Sequence, residues 1–271
     1  MVDTPTPVGR CWGMAYENLR LDRDGDTTTI TLARPDKRNA LSIAMMTDLR
    51  DSLAEAGSSD TLAVVLAAEG PVFSAGHDFR DMAGADLAAT RALFALCTEM
   101  METVQAIPQP VVARVHALAT AAGCQLVATC DLAIAAESAR FALPGGKGGL
   151  FCTTPLVAVS RNVSRKRALE LALTGDPIDA RTAADWGLVN AAVPDDELDS
   201  AVADLVARVT RGSAAGRSMG KHAFYAQIGL DQRAAYDLAI ESMAAGATTA
   251  DAQEGFTAFF EKRHPEFTSR P

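Results

Sequence analysis

Three short runs constrain this chain most: Leu62 to Ala67, Val111 to Val115 and Leu132 to Ala136. Each is apolar almost throughout, with Arg114 the one polar residue among them. A strand without polar alternation is covered on both faces. Between these runs lie loops of small residues and stretches of helical period, so the chain is expected to be α/β, with strands buried beneath helices.

The remaining elements follow from local signals. The β-branched run Thr27 to Leu32 predicts a strand, broken by Arg34 to Asn39. Ser42 is placed to cap a helix running to about Ala56, and Asp86 to open a long helix ending near Ile107-Pro108. Pro71 to Gly76 reads as a loop, Gln125-Leu126-Val127 as part of a helix, and Ala139 to Leu143 as a strand. Beyond about Pro155 the pattern turns helical, with helices expected over Asp196 to Val209, Ala214 to Gln227, Arg233 to Ala245 and Ala250 to Arg263. The domain reading is a loose leader over residues 1–14, a core over 15–205 and a helical oligomerisation segment over 206–271.

Composition excludes some functions. A net charge of −9 argues against a nucleic-acid partner. Cys11, Cys97, Cys124, Cys130 and Cys152 form no C-x-x-C pair, and the histidines add no metal-ligand spacing. Reduced thiols, a start without a signal-peptide pattern and no apolar run of about 18 residues give the expectation of a cytoplasmic protein without a membrane span.

Two loop segments carry the chemistry: Phe73-Ser74-Ala75-Gly76-His77-Asp78 and Ala121-Ala122-Gly123-Cys124-Gln125. Each stands where a strand pattern gives way to a helix pattern. Together they look like two halves of an oxyanion hole. The plain alternative is a pair of tight turns built from small residues.

With these loops in hand, the chain resembles the crotonase superfamily, the enoyl-CoA hydratase/isomerase family. The matching segments are Leu32 to Ser42, Val72 to Asp78, Gly123 to Leu126 with Cys130 to Ala135, Ala139 to Pro144, Trp186 to Asn190, and Glu254 to Pro265. Each is weak alone; their order makes the resemblance specific. It implies a spiral of strand-strand-helix turns with a C-terminal helical trimerisation segment. It also implies homotrimers or hexamers built as dimers of trimers, and acyl-CoA ligands, with coenzyme A present only as part of the substrate.

The resemblance assigns roles by position. The amides of His77 and Ala122 would hold the thioester oxygen as negative charge builds on it, although the family usually has glycines where this chain has Ala121 and Ala122. Where hydratases of the family place two glutamates, this chain has Gln125 and Gly145. An amide accepts no proton at neutral pH and glycine has no side chain, so ordinary hydration is not expected. His77, Asp78 and Cys152 are the candidate substitutes. Against these stand an exposed loop histidine, a loop-ordering aspartate and a small buried cysteine. Gln125 is a candidate for binding a substrate carbonyl or carboxylate through its NH₂ group. For coenzyme A, Lys37 and Arg38 are candidates for the phosphates, and Ala40, Ala75, His77 and Phe79 for the adenine and pantetheine groove. Phe259 and Lys262 are candidates for reaching a neighbouring subunit's site. Leu93, Phe94, Leu96, Met100 and Met101 line either an acyl tunnel or simply the core. The functional expectation is an acyl-CoA enzyme working through an enolate. Alternatives are a non-catalytic acyl-CoA scaffold and a decarboxylase of the methylmalonyl-CoA type, whose tyrosine near Cys152 is missing here.

Overall fold

The computed structural model describes residues 16–270. The leader proposed for residues 1–14, and Cys11 with it, lie outside the described residues.

The chain opens with the antiparallel hairpin of β1 (Leu19–Asp24) and β2 (Thr27–Leu32). Helix α1 (Ile43–Gly57) follows, with the Ser42 hydroxyl accepting from the Met45 amide at 3.2 Å. Its residues Met45, Met46, Leu49 and Leu53 are fully or almost fully buried, each worth about 1.5–3 kcal/mol in the core.

A spiral begins here. Strand β3 (Ala63–Ala68) lies in the larger sheet, β4 (Val72–Ser74) in the smaller one, and α2 (Leu87–Ala106) returns the chain. Asp86 caps α2 by accepting from Ala89 N at 2.8 Å. The next turn is β5 (Val111–Val115), β6 (Leu118–Thr120) and α3 (Ala122–Thr129). The third is β7 (Leu132–Ala136), β8 (Arg140–Ala142) and α4 (Thr153–Asn162). Thus each turn is strand, strand, helix. The larger sheet runs β1-β2-β3-β5-β7 and is parallel from β2 onward. In the smaller, β4, β6 and β8 are parallel.

After α5 (Arg165–Thr174), β9 (Ile178–Asp179) adds antiparallel to β8. Helix α6 (Ala180–Trp186) then leads to β10 (Ala191–Val193), which pairs parallel with β7 as the sixth strand of the larger sheet. Helix α7 (Leu198–Val209) covers the outer face of that sheet, packing Leu198, Val202, Leu205 and Val206 on Val65, Val112 and Ile134. Helices α8 (Ala214–Gln227), α9 (Gln232–Ala247) and α10 (Ala250–Glu261) complete the chain. Among the described residues no helix is long and apolar enough to cross a membrane.

Some sequence expectations are corrected. Residues 72–74, read within a loop, form β4. Beyond Pro155 the chain is not wholly helical, because β9 and β10 extend both sheets. Strand β1 was not anticipated. Leu93, Met100 and Met101 lie in the main core with Phe94 and Leu96 packed against it, in keeping with the core reading of that face.

The C-terminal helices are tied to the spiral by a buried polar knot. Lys221 Nζ on α8 lies 2.7 Å from Asp131 Oδ2 and donates to the carbonyls of Val104 at 2.9 Å and Gln109 at 2.8 Å. The Tyr225 hydroxyl donates to Asp131 Oδ1 at 2.8 Å. Away from this knot, α8 to α10 expose Phe224, Ile240, Met243, Phe256, Phe259 and Phe260.

Candidate functional site

The site is built where β4 and β6 end side by side. Ser74 pairs with Ala119 in the parallel register of these strands. Beyond Ser74 the chain turns through Gly76, at φ +83°. A Cβ on Gly76 would stand 2.9 Å from Ala121 Cβ and 3.0 Å from Ala122 N. A Cβ on Gly123 would stand 2.5 Å from the Ser74 carbonyl oxygen. Glycine at both positions therefore lets the start of α3 press directly against the end of β4.

Backbone pairing then decides which amides stay free. The Gly76 carbonyl accepts from Leu41 N at 2.8 Å, and the Asp78 amide donates to Leu41 O at 3.4 Å. This is a parallel bridge between Leu41 and His77, in which the N–H of His77 points away from Leu41. It has no acceptor among the described residues. The Ala122 N–H opens α3, and no side chain caps that end. Two unpaired N–H groups thus flank one contact, with the positive end of the α3 dipole added.

Ala121 turns the chain into α3 at φ +51°, ψ −120°. These are the angles of the first central residue of a type II′ turn, a place that favours glycine. The alanine holds the same turn at a conformational cost.

His77 sits half-buried beneath Phe94, ring centroids 5.3 Å apart and edge to face. Its Nδ1 lies 3.4 Å from the Leu41 carbonyl, which can only accept. Burial holds the imidazole pKa below its ordinary value, outweighing the Leu41 carbonyl and the Asp81 charge. His77 is therefore neutral at neutral pH, with its proton on Nδ1 and a lone pair on Nε2. That Nε2 is buried and without a partner.

The other candidates are disposed differently. Asp78 accepts from Arg80 N at 3.0 Å, capping the single helical turn Phe79–Asp81, and pairs with the Arg80 guanidinium. The hydrogen bond from Arg80 holds its pKa below the usual carboxylate range. It orders the loop. Gln125, one turn into α3, is 6% exposed, and its Oε1 has no hydrogen-bond partner. Cys152 is buried, its thiol pKa pushed up by burial, and its Sγ accepts from Gly145 N at 3.3 Å. A thiol held protonated is a poor nucleophile. A Cβ on Gly145 would lie 2.1 Å from Leu150 O and 2.7 Å from Cys152 Sγ, so the backbone as folded leaves no room there for any side chain.

The coenzyme A candidates fall into two groups. Ala75 N donates to Arg38 O at 3.0 Å, which joins the Lys37–Arg38–Ala40 turn to the first loop. Lys37 and Arg38 are exposed there, as is Phe79. Phe259 and Lys262 lie at the end of α10, which packs on α8 and α9 rather than on these loops. Asn39, not singled out in the sequence, fixes the turn. It is fully buried at φ +48°, its Nδ2 donating to Glu69 O at 2.8 Å and Val72 O at 3.0 Å, and its Oδ1 accepting from Arg34 N at 2.9 Å. A polar residue closing a Pro-Asp-Lys-Arg break was the available signal.

Comparison with known proteins matches residues 23–270 to the family model described as enoyl-CoA hydratase/isomerase. Among curated relatives, enoyl-CoA hydratase domain-containing protein 3, mitochondrial, of Rattus norvegicus is 44% identical over 238 residues, covering 87% of this chain and 79% of the rat protein. Among solved structures, an enoyl-CoA hydratase of Mycobacterium smegmatis superposes with a TM-score of 0.89 at 46% identity, covering 92% of this chain and 98% of that one. Human enoyl coenzyme A hydratase domain-containing protein 3 gives a TM-score of 0.88 at 39% identity, covering 92% and 100%.

Proposed function

The chain belongs to the enoyl-CoA hydratase/isomerase family, and we propose that it binds an acyl-CoA thioester and stabilises its enolate. The observation that carries this reading is the pair of unpaired amides, His77 N–H and Ala122 N–H, set on either side of the Gly76–Ala122 contact. Preset donors aimed at a developing oxyanion are worth about 10²–10³ in rate each.

In this reading the Cα–H proton of the acyl group passes to His77 Nε2, and the C–H electron pair moves into the thioester. The carbonyl oxygen, now negative, is held by the two amides. Return of the proton from Nε2–H completes the cycle. His77 is assigned this part because the alternatives are engaged: Asp78 by Arg80, and Cys152 by burial and the Gly145 amide. Activation of water is not assigned to any residue, since Gln125 and Gly145 supply no base. Lys37, Arg38, Ala40, Ala75 and Phe79 would hold the coenzyme A moiety. The exposed apolar faces of α8 to α10 support a trimer or a dimer of trimers, in which Phe259 and Lys262 would reach a neighbouring site.

The test is exchange of the Cα protons of butyryl-CoA in heavy water, followed by NMR. Exchange that falls at least 10²-fold in His77→Asn supports the reading. Binding without exchange would favour the second reading, a non-catalytic acyl-CoA scaffold, which the absence of an acid–base group at Gln125 and Gly145 supports.

A further inference from the structure

We propose that Phe94 is a positioning residue for His77, its ring holding the imidazole in the one orientation that turns Nδ1 to the Leu41 carbonyl. This rests on the reading above, in which His77 takes the Cα proton, and deepens it. Phe94 acts through the base rather than on the ligand. The hydrogen bonds at His77 do not fix the ring by themselves. Leu41 O accepts from Nδ1 at 3.4 Å and from the Asp78 amide at 3.4 Å. Both exceed the usual N–H···O range of about 2.7–3.2 Å, and they share one oxygen. The outer torsion of a histidine is broad and roughly two-fold. A half-turn about it would carry Nδ1 off Leu41 O and put a ring carbon where the basic nitrogen stood.

The second restraint is aromatic. The Phe94 ring meets the imidazole edge to face, with centroids 5.3 Å apart and 74° between the planes. Ring quadrupoles favour this arrangement over a loose contact. Phe94 is itself held in place. Its neighbours on α2, Leu93, Cys97 and Met100, are each 2% exposed or less, and Phe94 packs against that core. The ring is thus carried by a capped helix and not by the loop that carries the base.

The same contact keeps water off one side of the imidazole. Among the described residues Asp81 is the charge that acts on His77, and it favours the protonated ring. Asp78, next in the chain, is engaged by Arg80. No charge on α1 or α2 contributes. Burial opposes Asp81 and prevails. Phe94 supplies one wall of that burial, so removing its ring lets water and Asp81 together favour the imidazolium. One aromatic side chain therefore sets both where the base points and whether it is free to accept a proton.

The test has two arms. The first records nitrogen and aromatic proton NMR spectra of His77 in the unaltered full chain, assigned against His77→Asn. The expected result is one neutral tautomer, protonated at Nδ1, with imidazole protons in contact with the Phe94 ring. Averaged tautomers, or no contact with Phe94, overturn the proposal. The second arm compares Phe94→Leu, which keeps apolar bulk without a ring, with Phe94→Tyr, which keeps the ring. At saturating butyryl-CoA, exchange of the Cα protons should fall about ten-fold in Phe94→Leu. The His77 titration should move up toward its ordinary 6.5, and the acid limb of exchange should move with it. Phe94→Tyr should regain most of both. A Phe94→Leu variant with unchanged rate and unchanged titration overturns the positioning role and leaves the enolate reading standing. No exchange by the unaltered protein overturns both. The spectra of the unaltered chain decide even where Phe94→Leu fails to fold.

Discussion

The amide of Gly145 donates to the sulfur of Cys152 at 3.3 Å, and a Cβ on Gly145 would close to 2.7 Å from that same sulfur. The position is therefore filled by backbone and thiol rather than waiting for a side chain. Gly145→Ala is expected to lower stability by about 1–3 kcal/mol, the usual cost of overpacking. At Gly146 a Cβ would meet its nearest atom, Phe151 Cδ2, at 3.6 Å, an ordinary contact. Gly146→Ala should consequently unfold within a degree or two of the unaltered protein. Gly145→Glu should not create hydration of crotonyl-CoA, because the carboxylate cannot enter without moving the Leu150 and Cys152 backbone. Thermal unfolding and an enoyl-absorbance assay check both; a stable, hydrating Gly145→Glu variant would refute the steric argument.

Ala121 holds a turn that glycine adopts freely. Its φ of +51° with ψ −120° is costly for a residue with a Cβ, by about 1–3 kcal/mol. Glycine regains this strain but loses more entropy on folding, by roughly 0.5–1 kcal/mol. The net expectation is that Ala121→Gly stabilises by about 1 kcal/mol, read as a higher denaturant midpoint at unchanged slope. Ala121→Val, branched at Cβ, should destabilise by more than that. A lower midpoint for the glycine variant would show that the turn is relaxed as it stands.

How much of this could be read along the chain differs by feature. Ser42 and Asp86 announced their helices because capping is local, and the covered strands at 63–68, 111–115 and 132–136 announced themselves by unbroken apolar character. Strand β1 was missed although Leu19 and Leu21 alternate with charges, because those charges dominate its composition. Strands β4, β6, β9 and β10 span two or three residues each and exist only through their neighbours. The two loops of the site were legible from their small residues. The Phe94–His77 edge contact, the Gly145–Cys152 bond and the orphaned Gln125 oxygen were not, since each depends on what the fold brings alongside.

The neutral state of His77 sets a pH profile. Its folded pKa lies below the ordinary 6.5 because burial penalises the imidazolium. Exchange that uses Nε2 as the proton acceptor should be on a plateau at neutral pH and fall only as acid protonates the ring. Stability has the same sign. As pH drops through 6.5 the unfolded chain takes up a proton that the folded chain refuses, so the unfolded state binds more protons and stability declines. Urea midpoints between pH 7.5 and 5.5, compared with those of His77→Leu, isolate this contribution. A profile that climbs toward acid would contradict the neutral assignment.

The buried thiols give the opposite flank. Cys97 and Cys124 are pushed up to about 12 by burial, and Cys130 and Cys152 are raised too. Above pH 9 unfolded thiols lose protons that the folded ones keep, so the folded state binds more protons and stability falls as pH rises. Alkylation followed by peptide mass spectrometry should leave these four unmodified in the native protein at neutral pH. Modification of Cys152 at the rate of a free thiol would restore it as a candidate nucleophile.

Lys221 and Asp131 form a buried ion pair. Their side chains are only 9% and 14% exposed, and the ammonium also holds two main-chain carbonyls at the end of α2 and the entry to β5. Burial lowers the Lys221 pKa, with Asp131 opposing that shift. Removing one partner of such a pair strands the other without a counter-charge, typically at about 3–5 kcal/mol. Lys221→Met should therefore destabilise by about that much, with amide exchange rising first in α8, the helix the lysine anchors. Tyr225→Phe removes one hydrogen bond from Asp131 and should cost about 1.5–3 kcal/mol, since the acceptor is charged. In Lys221→Met combined with Asp131→Asn the two losses should not add, because the stranded charge has gone. Strict additivity in that cycle would mean that the knot contributes through packing alone.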